Sequence, residues 1–347
     1  METALYKKAV GQLNEKPAGL KLLPRRYWWG AFFAFTLSTL GIIMISGAGL
    51  KQSAQVITAM KSSYLAAAAA LLIGLWLLEA ARMKAILALL GERLPVKDIV
   101  QVNLAFGFAA AVTPAAGGGP PAYAYLFYLK GIAAEKAVAA VSARTLLAVG
   151  SISFLNPLLV FSFRNYLGLP ALTEKLVLAG AVSVSTGIFV FLFLSLRPQL
   201  IFPLLKCLPE KTRINSSERI ARFSSSLRSL LFTSRKSTLI FILALSFLYW
   251  GIFFSIGWVL AVALGGSVAW PAMVARQMVL HFLLAYVPLP GASGVAEVSY
   301  AVFFTSFVPA AALPALVAGW RFFTYYLNII IGGILFWWLI ARQRKSL

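Results

Sequence analysis

The chain has 347 residues, of which 61% are hydrophobic and only 12% are charged. A soluble domain is about half apolar and about a quarter charged, and a disordered chain is far less apolar, so both classes are excluded. The 31 lysines and arginines outnumber the 10 acidic residues. They lie between apolar runs rather than in one patch, which favours membrane topology over nucleic-acid binding.

The first half of the chain predicts four spans and one interrupted segment. Residues 1–27 are polar and basic, and 28–196 form the first membrane half. Its apolar runs of about the 20 residues that a span needs are 28–45, 64–90, 133–155 and 173–196. The stretch 97–130 instead has two shorter apolar runs around a Gly/Pro break at 113–121, which cannot be helical. Such a break must be buried or line a cavity, so we predict a re-entrant helical hairpin, called the first hairpin.

The second half repeats this order after a polar connection. The basic segment 197–237 has apolar residues at helical spacing over 216–231, which predicts an amphipathic helix on the bilayer surface or a solvated connector. The second membrane half is 238–347. Its long apolar runs are 239–264 and 313–340. Between them, 270–308 contains a Pro/Gly break at 287–294 and is predicted to be the second re-entrant hairpin.

The two hairpins belong to a predicted internal repeat. Each follows a long span and precedes a span with one arginine, Arg144 or Arg321, and these are 177 positions apart. If both termini are cytoplasmic, nearly all of the lysines and arginines in loops lie on the cytoplasmic side, as the positive-inside rule requires. Those left outside are mainly Lys51, Lys61, Arg164 and Lys175. The hairpins then enter from opposite faces, so the predicted fold is an all-α polytopic membrane protein with about six full spans plus two re-entrant hairpins in an inverted repeat.

Five charged residues within apolar segments are candidates for function: Glu79, Arg82, Arg144, Glu297 and Arg321. A charge at the bilayer centre costs on the order of 3 kcal/mol, so these residues should pair or face a cavity. Glu79 and Arg82 are three residues apart and could pair on one helix face. Glu297 and Arg321 could form a buried structural pair. We predict Glu79, Arg82 and Glu297 as gating or proton-linked residues, and a purely structural role remains open.

The hairpin tips, that is, the Gly/Pro breaks at 113–121 and 287–294, suggest where an anion could bind. The second helix of each hairpin begins at the glycine-rich tip, so its free N–H groups and positive dipole end would face the membrane centre. Arg144 and Arg321 could add bidentate contacts to a phosphate. Tyr325 and Asn328 follow Arg321 at helical spacing and complete the predicted substrate-binding set. The glycines expected to let the ligand approach the backbone are Gly117, Gly118, Gly119, Gly291 and Gly294.

Other chemistry has little support in the sequence. The single cysteine, Cys207, excludes an internal disulfide and a multi-cysteine metal site, and the single histidine, His281, leaves little basis for Ser/His or zinc chemistry. There is no nucleotide-binding loop, so an ion gradient or the lipid gradient would have to drive transport. We therefore expect no metal, no cofactor and no enzymatic activity.

The ordered motifs resemble one known superfamily. Residues 288–297, Pro-Leu-Pro-Gly-Ala-Ser-Gly-Val-Ala-Glu, are similar to the P-x-P-G-G-x-G-x-x-E signature of the flippase-like superfamily, with Ala292 at its second glycine. That superfamily includes the transmembrane region of lysylphosphatidylglycerol synthases. Residues 79–82 resemble its E-x-x-R element, and 113–119 with the downstream Arg144 resemble its P-x-x-G-G element and arginine.

This resemblance covers about residues 25–340 and implies translocation of lipids between leaflets. The synthases add a soluble aminoacylating domain, for which the longest polar segment here, about 40 residues, is too short. We therefore expect a flippase or transporter of an anionic or phosphate-bearing lipid in the cell (inner) membrane, with both termini cytoplasmic. Membrane lipids are the expected partners, nucleic acid is not, and homo-oligomerisation is left open. A secondary transporter of a small anionic solute, a lipid-headgroup enzyme and a non-transporting scaffold remain alternatives.

Overall fold

The fold is known from a computed structural model, which describes residues 55, 58, 60–162, 171–203, 210–233 and 235–344. The predicted N-terminal segment at 1–27 and the first span at 28–45 lie outside the described residues. Within those residues the chain forms helices and no strands, apart from one isolated bridge between two loops. The all-α class predicted from the sequence is therefore confirmed for this part of the chain.

The described residues form eleven α-helices and three short turns of other helix types. In chain order the α-helices are α1 (Ser62–Leu89), α2 (Val96–Ala111), α3 (Gly119–Leu129), α4 (Ala134–Ser162), α5 (Ala171–Leu196), α6 (Glu210–Leu231), α7 (Lys236–Ala263), α8 (Trp270–Leu284), α9 (Val295–Phe304), α10 (Leu313–Arg321) and α11 (Leu327–Arg344). Turns of 3₁₀ helix lie at Pro198–Leu200 and Ala310–Ala312. A π-helical turn at Phe322–Tyr326 joins α10 to α11.

Five helical segments of the described chain are long and apolar enough to cross a membrane. They are Ser62–Leu89, Ala134–Leu158, Lys175–Leu196, Lys236–Ala263 and Ala310–Arg342, and they correspond to the second to sixth predicted spans. Their outer faces are apolar: on α5, for example, Leu172 and Phe189 are each 68% exposed. So many exposed large apolar side chains are favourable in contact with lipid but not with water. The chain is therefore a membrane protein.

The two interrupted stretches fold as helical hairpins of short helices. In the first hairpin, α2 has 16 residues and α3 has 11. In the second hairpin, α8 has 15 residues and α9 has 10. At 1.5 Å per residue even α2 is only about 24 Å long, less than the ~30 Å thickness of the hydrocarbon core. The half-length helices predicted from the sequence are thus present, although α9 ends at Phe304 rather than at 307.

The tips of the two hairpins contain the same backbone turn. In the first tip the Ala116 N–H donates to the Thr113 carbonyl at 3.1 Å, and 176 positions later the Ala292 N–H donates to the Leu289 carbonyl at 2.9 Å. Both tips also place two successive residues in the left-handed region, Ala115 and Ala116 in the first, and Gly291 and Ala292 in the second. This shared turn supports the predicted internal repeat.

The two tips also touch each other. Pro114 and Pro290 face one another in an isolated antiparallel bridge. Proline has no N–H to donate, so the two residues form a pair without hydrogen bonds between them, for which the Cα atoms are typically about 4.5 Å apart. The two hairpins therefore meet at their tips.

The apolar core consists of two main clusters, one around each hairpin. On α1, Leu72 and Leu75 belong to the cluster around the second hairpin, while Met83 and Ile86 belong to the cluster around the first. Glu79 lies between these pairs on the same helix and is 7% exposed. Glu79 thus lies between the two apolar clusters, where burial makes an unpaired charge unfavourable.

The basic connection contains the predicted helix, longer than expected. The pattern over 216–231 predicted its C-terminal part, and α6 begins earlier, at Glu210. Leu227 and Leu230 are buried against the rest of the protein, and Arg222 Nε lies 3.0 Å from Glu135 Oε1 on α4. Part of the apolar face is therefore covered by protein, and contact of α6 with a lipid surface remains a prediction.

Gly332→Ala should destabilise the protein because α11 packs closely along α2. A Cβ at Gly332 would lie 3.0 Å from the Phe108 Cβ and would overlap the Leu104 carbonyl oxygen. Overpacking of this kind typically costs about 1–3 kcal/mol, so the melting temperature in detergent should fall. The matched control is Gly251→Ala on α7, where no atom lies within 4 Å of an added Cβ and the melting temperature should not fall. Equal melting temperatures for both variants would contradict the tight contact.

Candidate functional site

A buried cluster of three charged residues lies between α1 and α4. The Glu79 Oε1 accepts a hydrogen bond from Arg144 Nε at 2.7 Å, and its Oε2 accepts one from Arg82 Nη2. Arg82 is fully buried and also donates from Nη1 to Ser246 Oγ at 3.3 Å. The local pair of Glu79 and Arg82 expected from their spacing is thus present. One carboxylate and two guanidinium groups leave this cluster with one net positive charge.

Arg144 is the member of this cluster that remains available to a ligand. Its guanidinium lies over the Phe106 ring at 4.8 Å, and its side chain is 13% exposed. Only its Nε is engaged: neither terminal nitrogen donates a hydrogen bond to a residue in the described part of the chain. An arginine held through one edge can offer its terminal nitrogens to an anion.

Arg144 lines a cavity of about 200 Å³, called the first cavity. This is several times the ~30 Å³ that one water molecule occupies in the liquid. Its polar lining residues are Glu79, Asn103, Arg144, Thr324, Tyr325 and Asn328. The remainder is lined by aromatic residues, among them Trp76, Tyr249 and Phe253, and by aliphatic residues such as Leu72 and Ile256. The first cavity is a largely apolar chamber with one positively charged corner.

The second hairpin holds the other ion pair. Arg321 Nε lies 2.8 Å from Glu297 Oε1, and Arg321 Nη2 donates to the Gly291 carbonyl at 3.0 Å. The other oxygen of Glu297 accepts the Gly294 N–H at 2.7 Å. Glu297 is 1% exposed and Arg321 is 5% exposed. This carboxylate therefore caps the start of α9 and neutralises Arg321, so the pair has no net charge.

Arg321 borders a separate cavity of about 310 Å³, called the second cavity. It lies beside the tips of both hairpins, since Ala115 and Ala116 line it together with Gly291 and Ala292. His281 lines it as well, so the single histidine lies in a cavity wall rather than wholly in the core.

Tyr325 lines both cavities, as do Phe253 and Thr324. Its hydroxyl donates to the Ala111 carbonyl at the tip of the first hairpin at 3.0 Å. Its ring lies so close to the second tip that a Cβ on Gly291 would overlap it. Tyr325 therefore contacts both the end of α2 and the tip of the second hairpin.

The predicted substrate-binding residues of the last span are divided between the cavities. Arg321 lines the second cavity, Asn328 lines the first, and Tyr325 lines both. A π-helical turn at Phe322–Tyr326 lies between Arg321 and Asn328, and such a turn changes the direction of the side chains beyond it. Asn328 accepts a hydrogen bond from Trp76 Nε1 at 3.2 Å and so closes part of the wall of the first cavity.

The prediction that free amide groups at the start of α3 bind an anion is wrong, because these groups have partners within the tip. The Gly118 N–H donates to Thr113 Oγ1 at 3.0 Å, and the Gly119 N–H donates to the Ala116 carbonyl. The next two residues are Pro120 and Pro121, which have no N–H. In the first tip there is thus no set of free amide groups for an anion, and the positive charge near it comes from Arg144.

The glycines of the first tip are needed for packing rather than for unusual backbone angles. The left-handed positions are Ala115 and Ala116, with φ of 49° and 55°. A Cβ on Gly118 would come within 2.6 Å of Thr113 Cγ2. A Cβ on Gly119 would lie 2.9 Å from the Ala110 Cβ, so this glycine lets α3 approach α2 closely. A role of Gly117, Gly118 and Gly119 in ligand binding stays a prediction.

Sequence reasoning missed one pairing that occurs in both hairpins. The Tyr123 hydroxyl on α3 is hydrogen-bonded to the Asn103 amide on α2. In the second hairpin Tyr300 on α9 approaches the Gln277 amide on α8 at 3.5 Å. An amide in the first helix and a tyrosine in the second, within apolar surroundings, was the signal that could have predicted these contacts.

Gly291→Ala should destabilise the protein because Tyr325 lies against the second tip. An added Cβ at Gly291 would overlap the Tyr325 ring. The fall in melting temperature in detergent should therefore be smaller when the same substitution is made in a Tyr325→Ala background. Equal losses in the two backgrounds would show that Tyr325 does not press against the second tip.

The known proteins to which this chain is similar are membrane proteins. The sequence model of the family described as "Lysylphosphatidylglycerol synthase TM region" matches residues 28–332. A similar protein is a "UPF0104 membrane protein" of Archaeoglobus fulgidus, which is 29% identical over 280 residues. That match covers 76% of this chain and 82% of the relative.

Proposed function

The chain belongs to the family of the lysylphosphatidylglycerol synthase transmembrane region, and we propose that it moves an anionic or phosphate-bearing lipid between the two leaflets of the cell membrane. The observation that carries this proposal is a pair of cavities that share Tyr325 in their walls, one lined by Arg144 and the other by Arg321. A lipid headgroup needs polar contacts inside the membrane and a barrier that prevents a permanently open pore.

The proposed membrane arrangement is an inverted repeat with cytoplasmic termini. The hairpins are re-entrant and come from opposite faces, which is supported by their short helices, their shared tip turn and the contact between Pro114 and Pro290. Each face of the membrane would then have its own cavity, and the tips would meet near the midplane, as in other inverted-repeat transporters.

In this proposal Arg144 is the first ligand of the headgroup phosphate. Arg321 takes over only after Tyr325 has moved and the second cavity has become continuous with the first. Glu79 and Glu297 hold the two guanidinium groups while the cavities are empty, which avoids an unpaired buried charge. An ion gradient or the lipid gradient drives the movement.

The test is a leaflet-exchange assay in vesicles containing the purified protein. A fluorescent phosphatidylglycerol is incorporated in both leaflets, and a membrane-impermeant reductant quenches only the outer one. Protein-containing vesicles should lose nearly all of the fluorescence, while protein-free vesicles should keep about the inner half. Fluorescence kinetics identical to those of protein-free vesicles would refute lipid transport. Uptake of radiolabelled phosphate by the same vesicles would support the alternative, a transporter of small anionic solutes.

A further inference from the structure

We propose that the first cavity prefers a lipid whose headgroup phosphate carries a single negative charge, that is, a phosphodiester. The charge of Arg82, a buried residue outside the cavity lining, determines this preference. This inference rests on the proposed function, because it concerns the lipid that binds at the same site. It assigns a role to Arg82, which does not line the cavity.

The first step is the charge of the cluster. Glu79 and Arg144 are the charged residues that line the first cavity, and by themselves they would cancel. Arg82 is fully buried and binds the second oxygen of Glu79. Its charge cannot reach solvent, so it adds to the potential in the cavity and leaves one positive charge uncompensated.

The second step is the geometry of Arg144. Glu79 holds it through Nε at 2.7 Å, and the Phe106 ring lies below its guanidinium plane. Its terminal nitrogens make no hydrogen bond to any residue in the described ranges. Two parallel donors in one plane match two oxygens of a phosphate. One phosphodiester would therefore satisfy both the free donors and the net charge.

The third step is the contrast with the second cavity. Arg321 is already neutralised by Glu297 at 2.8 Å, and its Nη2 is bonded to the Gly291 carbonyl. An anion there would have to break this pair, which is almost fully buried. Charge selection therefore takes place in the first cavity, before the lipid reaches Arg321.

A phosphate monoester should be transported poorly. At about pH 8 its second proton is lost, since the second pKa of such a group is close to 6. Its second charge would remain uncompensated in a cavity with apolar walls, and an uncompensated or like charge in such a place is strongly unfavourable. The wild-type protein should therefore exchange phosphatidylglycerol at least roughly tenfold faster than phosphatidic acid.

The experiment compares these two fluorescent lipids in the leaflet-exchange assay with variants that change the cluster charge. Glu79→Gln raises the net positive charge of the cluster from one to two. The ratio of the phosphatidylglycerol rate to the phosphatidic acid rate should therefore fall roughly tenfold. Arg82→Gln removes the net charge of the cluster and should slow the exchange of phosphatidylglycerol. Glu79→Asp and Arg82→Lys keep the charge and are the matched controls, for which the wild-type ratio is expected.

The ratio is informative even if a variant folds poorly. Both lipids are measured on the same preparation, so the fraction of folded protein cancels. Equal rates for the two lipids in the wild-type protein would overturn the inference while leaving lipid transport intact. An unchanged ratio in Glu79→Gln would overturn it as well. Absence of exchange for every lipid in the wild-type protein would instead refute the proposed function.

Discussion

Arg144→Ala should lower the rate of phosphatidylglycerol exchange roughly 10- to 100-fold. Arg144 lines the first cavity, and its two terminal nitrogens make no hydrogen bond to the residues that the structure describes. A hydrogen bond to a charged group contributes about 1.5–3 kcal/mol. A change of ~1.4 kcal/mol in a barrier is tenfold in rate. The rate is measured by the leaflet-exchange assay in vesicles, at equal amounts of monodisperse protein.

Two further variants make the Arg144 result specific. Arg144→Lys keeps the charge but loses the planar pair of donors, so an intermediate rate is expected. Arg276→Ala removes another arginine from a hairpin helix, but this residue stacks on Phe307 and lines neither cavity. Its rate should stay near that of the wild type. If Arg144→Ala and Arg276→Ala were equally impaired, Arg144 would not be a specific ligand.

A disulfide between the two hairpin tips should stop lipid exchange completely and reversibly. Pro114 and Pro290 face each other in an antiparallel bridge, and the spacing typical of such pairs, about 4.5 Å between Cα atoms, is within reach of a disulfide. In the proposed mechanism the tips must separate when Tyr325 moves. Locking them should therefore hold the two cavities apart.

The lock is made with Pro114→Cys and Pro290→Cys in a Cys207→Ser background, so that these two are the only cysteines. Exchange is measured after mild oxidation and again after reduction by dithiothreitol. Each single-cysteine variant, treated in the same way, controls for the proline substitution and for the oxidant. Undiminished exchange in the cross-linked protein would mean that the tips do not part during transport.

Local patterns were sufficient to predict the elements of this fold. The lengths of the apolar runs predicted the spans that are described here, and the two Pro/Gly breaks predicted the hairpins with short helices. The pairing of Glu79 with Arg82 was predictable because residues three positions apart lie on one face of a helix. Membership in the family was recognised from the ordered motifs, and the family comparison confirms it.

Contacts across long sequence distances were not predictable in this way. Arg144 joins Glu79 across 65 positions, and the tip prolines meet across 176. Such contacts depend on how helices pack together, which no local spacing encodes. The same is true of Tyr325: ideal helical spacing placed it on one face with Arg321 and Asn328, whereas the helix contains a π-helical turn at this point and the three residues line two cavities.

By itself, the sequence determined that this protein lies in a membrane, where its helices are interrupted and which charges are buried, because these properties follow from composition and from short-range spacing. Only the tertiary structure decided how those charges combine. It brings two arginines to one glutamate at the first cavity, of which only Arg144 lines the cavity, and one arginine to one glutamate beside the second. The physical reason is that a buried charge takes whatever partner the packing brings within reach, and this partner decides whether net charge remains to bind a ligand.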